Sequence, residues 1–123
     1  MAREIAESDW RLFRKLHAVA LERFYARLLN EIEAASAAET GSHQRYLDIC
    51  RIIERGNLEL SVTFSDLRRS TALLRIVSLR DRALLTEDEL SGFSQQVVEV
   101  VNSLVDGRPG QYPAPPGHGK RRR

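Results

Sequence analysis

All four prolines of this 123-residue chain lie beyond Gly107, and residues 1–106 contain none. Proline is the strongest single obstacle to helix propagation, because it lacks an amide donor and clashes with the preceding turn. A proline-free run of that length, broken only by Gly41, Gly56 and Gly92, leaves long helices as the natural solution. The final segment "GRPGQYPAPPGHGKRRR" is the opposite case. It cannot bury enough apolar surface to offset the entropy of ordering it, so residues 107–123 are expected to form a disordered Pro/Gly-rich basic tail behind a helical bundle domain at 1–106.

Apolar spacing supports helices through the first 106 residues. Trp10, Phe13, His17, Ala20, Leu21, Phe24, Leu28 and Ile32 recur at steps of three and four, which at about 100° per residue places them on one stripe. Ser8 is a candidate N-cap for this helix, with Asp9 in its first turn facing the positive end of the helix dipole. No breaker precedes Gly41, so the helix is expected to reach roughly 30 residues, or ~45 Å. "TGS" at 40–42 marks a turn, with Thr40 or Ser42 as cap. A second helix carries Tyr46, Leu47, Ile49, Cys50, Ile52 and Ile53 and ends at Gly56, unless that glycine is absorbed into one continuous helix. A third is expected from Asn57 to about Leu85. "TEDE" at 86–89 has the form of a capping box, Thr86 with Glu89 three residues on. Ser94 caps a last helix, "QQVVEVVNSLV", whose valines have no partner strand to pair with. The expected fold is all-α, an up-and-down bundle of four to five helices.

The charge distribution limits what the chain can bind. The pI is near 9.0, yet five of the 19 Lys and Arg (Arg108, Lys120, Arg121, Arg122, Arg123) fall in the tail, leaving 14 against 17 Asp and Glu in residues 1–106. The body is therefore mildly acidic, and whole-chain basicity does not argue for a nucleic-acid-binding body. The single cysteine, Cys50, excludes an internal disulfide and a multi-cysteine metal site, which suits a reducing cytoplasm. No apolar run approaches the ~18 residues of a membrane span, and "MAREIAESDW" is acidic where a secretory signal would be apolar.

The stretch "TFSDLRRSTALLRI", Thr63 to Ile76, concentrates polar residues inside the expected third helix. On one continuous helix, Leu60, Phe64, Leu67, Thr71, Leu74 and Ser78 would share a face, while Val62, Leu73 and Ile76 would lie opposite with Arg69 and Arg80. A helix apolar on two sides is buried on two sides or belongs to an oligomer. Asp66 and Arg69, three apart, are close enough to pair, and Glu22 or Glu31 of the first helix could serve Arg69 instead. His17, inside the first apolar stripe, reads as a hydrogen-bonded core or interface histidine before it reads as a catalytic one. Arg68, Arg75 and Arg82, seven apart, would form a solvated flank able to meet an anion or nucleic acid together with Lys120, Arg121, Arg122 and Arg123. Cys50 reads as a small buried hydrophobe. No phosphate loop, HExxH, GxSxG or calcium-loop pattern occurs, and no two histidines sit at metal-ligand spacing.

These features point to a non-enzymatic helical interaction protein without cofactor or metal, forming a homodimer through its first and third helices, or meeting another protein partner. His17, Asp66, Arg69, Val62, Leu73 and Ile76 are its expected interface or polar network. Two other readings follow from the same residues. One is a nucleic-acid-associated accessory protein using the tail and the Arg68/Arg75/Arg82 flank. The other is a small-ligand or enzymatic pocket around His17, Asp66 and Arg69.

Overall fold

The computed structural model describes residues 5–106, and within them the all-α expectation holds, with no strand. Helix α1 runs Glu7–Ala37, α2 Ser42–Thr63, α3 Ala72–Asp81, α4 Glu87–Leu90 and α5 Gln95–Asp106, with a single 3-10 turn at Arg69–Thr71. The expected tail, with Arg108, Lys120, Arg121, Arg122 and Arg123, lies outside the described residues.

Helix α1 is 31 residues long, about 46 Å at 1.5 Å per residue. Ala6 occupies its N-cap position, so Ser8 lies inside the first turn and does not cap it. Helix α2 is continuous through Gly56, and Gly41 takes its N-cap position in place of Thr40 or Ser42. The continuity has a packing reason. At Gly56 an added Cβ would stand 2.5 Å from Cδ2 of Leu28, so the missing side chain lets α1 and α2 approach closely, which offsets glycine's weak helix propensity.

The expected third helix does not exist as one element. Helix α2 stops at Thr63, and the chain crosses Phe64–Arg68 before re-entering helix at α3. No glycine or proline marks the break. Asp66 adopts a left-handed conformation, φ 62°, which aspartate tolerates better than most residues. Its carboxylate is gripped by the Nε and Nη2 of Arg68, with Arg75 3.8 Å away. The Thr71 hydroxyl donates to the carbonyls of Asp66 and Arg68, at 3.0 and 3.1 Å. Short polar side chains that bond local backbone compete with the helix ladder, and here they win because α3 arrives to complete the network.

The core gathers at one end of the molecule. Phe13, Leu16, Ala20 and Phe24 of α1 meet Ala72, Ile76, Val77 and Leu79 of α3, Leu84, Leu85, Leu90 and Phe93 of the following segment, and Val97 and Val101 of α5. Hydrogen bonds from Arg75 to Val62 and from Arg82 to Glu59 show α3 antiparallel to the end of α2. Helix α5 packs against α3, so α3 is covered from both sides within one chain. The two-sided burial expected of the third helix thus belongs to α3 alone and is satisfied internally; Ile76 is 0% exposed.

Polar contacts close this end. The Asp9 carboxylate, buried in the first turn of α1, accepts from the Ser94 amide and hydroxyl at 2.8 and 2.7 Å. That Oγ in turn faces the Val97 amide at 3.5 Å, so Asp9 and Ser94 together terminate α5. The Thr86/Glu89 capping box forms in full. Glu89 also takes both Nη atoms of Arg23 at 2.7 Å, while Arg27 donates to the carbonyls of Arg82 and Ala83 past the end of α3. The cationic side chains of α1 therefore sit where the α3 dipole is negative.

Candidate functional site

The residues expected to form a polar network are divided between two places. His17 lies between Phe13 and Phe64, edge-on to both rings at 5.7 and 5.4 Å. Burial holds its imidazole below the ordinary histidine range; a hydrogen bond with the Phe64 main chain opposes this, and the charge of Arg75 reinforces it. Arg75 also faces Asp66, so His17, Arg75 and Asp66 form one junction between α1, α2 and α3. Asp66 is held below the usual carboxylate range, first by its hydrogen bonds from Arg68 and also by the charges of Arg68 and Arg75. Arg69 is not part of it. Its Nε donates to the Ile5 carbonyl at 3.0 Å and its Nη1 to Glu7 at 2.9 Å. The Asp66–Arg69 pair expected from an unbroken helix is replaced by Asp66–Arg68, and Arg69 finds its acid at Glu7 in place of Glu22 or Glu31.

The expected flank of arginines is likewise dispersed. Arg68 precedes the 3-10 turn, Arg75 lies in α3, and Arg82 follows its last residue. Each has an acid: Asp66 for the first two and Glu59, 3.2 Å from Arg82. Of the apolar trio, Ile76 is in the core, Leu73 packs at its edge, and Val62 stands exposed on α2.

A cavity of about 400 Å³ opens between the start of α1, α3 and α5. Ile5, Leu73, Val97 and Val100 form its apolar walls, and Asp9 and Ser94 form its polar side. None of His17, Asp66 or Arg69 lines it. Gln96 adds a third, exposed polar group to the lining, and both Asp9 oxygens already hold Ser94. Among the described residues no cluster of three or more His, Cys, Asp or Glu side chains is placed to hold a metal ion. No described helix is long and apolar enough to cross a membrane.

The structure also brings out a face of the α1–α2 hairpin. Beyond Phe24, α1 has no buried side chain, and α2 has only Gly56 and Thr63 buried. The two helices leave the core as an antiparallel pair, joined by Leu28 on Gly56, by Arg55–Glu31 at 2.6 Å, and by Arg45 on the Ser36 carbonyl at 2.9 Å. Arg23, Arg27 and Glu59 mark the flank that α3 covers. Stepping at about 100° per residue from the seam at Leu28 and Gly56, Tyr25 and Leu29 of α1 and Tyr46 and Ile53 of α2 fall on the opposite flank. All four are left to solvent: 42%, 58%, 65% and 43% exposed. Half-buried Ile32 and Cys50 lie on the same side. Single exposed apolar residues are ordinary, whereas a contiguous set is the informative case. A signal for this face was present in the sequence, since six apolar residues within 46–53 are more than one helix seam can cover.

Comparison of the chain with protein-family models, with curated proteins and with solved structures finds no match.

Proposed function

We propose that this chain is a non-enzymatic helical interaction protein that self-associates through the hairpin of α1 and α2. The observation that carries the reading is the row Tyr25, Leu29, Tyr46 and Ile53, exposed on the flank that α3 leaves open. The first helix keeps the role its length suggested. The second half of the interface moves from the expected third helix to α2, because Leu73 and Ile76 are satisfied inside the monomer. Cys50 is then a reduced thiol beside the interface, in keeping with a cytoplasmic setting.

The size of the face sets the strength. The outer hairpin is about 24 Å long and two helices, ~20 Å, wide. A second copy would cover about 500 Å² on each side, or ~1,000 Å² in total, the lower limit for a specific interface. Association on the order of 1–100 µM is therefore expected. Sedimentation velocity over about 1–300 µM tests this: the mass should rise from 14.0 kDa towards twice that value. Leu29→Glu with Ile53→Glu, both at exposed positions, should hold the chain monomeric with its helical circular dichroism unchanged. A wild-type chain that stays monomeric across the range sinks the reading.

A further inference from the structure

The cavity between the start of α1, α3 and α5 has a mouth and a floor. Ala6, Ser94 and Gln96 are exposed at its edge, while Ile5, Asp9 and Val97 are buried. Its volume of about 400 Å³ lies within the usual range of small-ligand sites. That space equals the share of ~13 waters at ~30 Å³ each. Ligand sites join apolar walls to a few convergent polar groups that fix orientation, and the polar groups here gather on one side.

Asp9 sets the sign of the ligand. Its carboxylate is 3% exposed and makes no ion pair among the described residues. Glu89 and Glu7, by contrast, are paired with Arg23 and Arg69. A buried aspartate without a cation is uncommon. The amide end of α5 supplies only about half a positive charge, so the floor of the cavity keeps a net negative one. The Ser94 amide and hydroxyl occupy two acceptor positions, out of roughly four on a carboxylate. An anion would be repelled, a single carboxylate offers too few ligands for a metal ion, and a neutral guest would leave the charge uncompensated.

We infer that this cavity binds a small primary amine, with its ammonium against Asp9 and Gln96 and a hydrocarbon body of roughly six to ten carbons against Ile5, Leu73, Val97 and Val100. An ammonium brings three donors, and the free positions on Asp9 and the Gln96 side-chain carbonyl accept them without displacing Ser94. Charge-assisted hydrogen bonds are roughly twice as strong as neutral ones, which favours the amine over an alcohol of the same shape. The site lies at the core end and stands independently of the hairpin face.

Titration of the full chain with 2-phenylethylamine tests the assignment, with 2-phenylethanol as the neutral comparison. Amide chemical shifts are followed in about 150 mM salt, where surface charges are screened beyond ~8 Å. The amine should saturate with a dissociation constant of about 0.1–1 mM and move the amides of residues 5–9 and 94–100. The alcohol should bind about tenfold more weakly. Asp9→Asn should bring the two ligands to within about threefold of each other. Because that variant also loses a fold contact, Val100→Phe gives an independent check: it fills the cavity from a half-buried position and should weaken amine binding about tenfold while the chain stays helical. Equal binding of amine and alcohol to the wild-type chain means an apolar guest only, and no saturation by about 10 mM means no site. Shifts confined to exposed glutamates mean surface attraction, and a Val100→Phe chain that binds like wild type places the amine elsewhere. Each of these four results overturns the inference.

Discussion

Replacing Asp9 by alanine tests what holds the last helix to the first. The carboxylate is 3% exposed and accepts two hydrogen bonds from a residue 85 positions away. Hydrogen bonds to a charged group contribute roughly 1.5–3 kcal/mol each when buried. Ser94 itself is exposed, so water can replace part of what it loses, and the lower figure applies. A negative charge at the start of α5 adds roughly 0.3–1 kcal/mol through the helix dipole. Removing the buried charge returns some of the cost of desolvating it. Together these give an expected loss of about 2–3 kcal/mol for Asp9→Ala. Asp9→Asn keeps one acceptor oxygen and should lose about 1–2 kcal/mol.

Urea unfolding followed by circular dichroism reads these values directly, and at this size the alanine variant should melt about 10–20 °C lower. The Ser94→Ala change closes a double-mutant cycle, with expected coupling above about 1 kcal/mol because the two residues act as one unit. Hydrogen exchange adds a local readout, since the amides of the first turn of α5 should lose protection first. An Asp9→Ala loss below about 0.5 kcal/mol, or additivity with Ser94→Ala, would refute the idea that this contact joins α5 to α1.

Two further expectations concern pH. Arg23, with help from the Thr86 amide, pulls the Glu89 carboxyl from 4.5 down to about 2, so the folded state favours its ionised form. That stabilisation is complete above pH 4.5 and is lost as pH falls towards 2. The full linkage value is roughly 3 kcal/mol, and screening at a pair whose Arg23 side chain is 36% exposed lowers it to about 1–2 kcal/mol; Glu89→Gln should flatten the acid limb of stability against pH by that amount. His17 has the opposite requirement, because burial lowers its affinity for a proton in the folded state. The unfolded chain then binds the proton more readily, so stability should decline as pH drops through 6.5, and His17→Phe should abolish that slope in urea titrations.

What could be read from residues alone follows the range of the interactions. The long first helix and the Thr86/Glu89 box were legible, because apolar period and capping chemistry act within one turn or along one stripe. The fate of 64–71 was not. Nothing between Phe64 and Thr71 forbids a helix, and Asp66 holds its left-handed backbone with help from Arg75, nine residues on and in the next helix. Once that break is missed, Val62 is assigned to the same face as Leu73 and Ile76, although it belongs to another element. Asp9 illustrates the same limit. Its position in a first turn suggested a dipole contact with its own helix, while its buried role depends on Ser94. His17 and Arg69 stand out in the sequence as polar groups needing partners, but the partners, Phe64, Ile5 and Glu7, depend on where the chain turns.

The hairpin shows why its open face is a better candidate for function than the closed end. At the core end the strong polar groups already serve the fold. Asp9 terminates α5, Glu89 caps α4, and Arg23 and Arg27 satisfy carbonyls after α3. Changing any of them alters stability before it alters recognition. The outer hairpin is held by a narrower set, Leu28 on Gly56, Arg55 with Glu31, and Arg45 on Ser36. All three lie in or beside the seam, while Tyr25, Leu29, Tyr46 and Ile53 turn much of their surface to solvent on the open flank. Leaving these residues apolar in water carries a cost in solubility. Covering them with another helical face removes that cost, and only on this flank can a partner do so without displacing a contact that the fold requires.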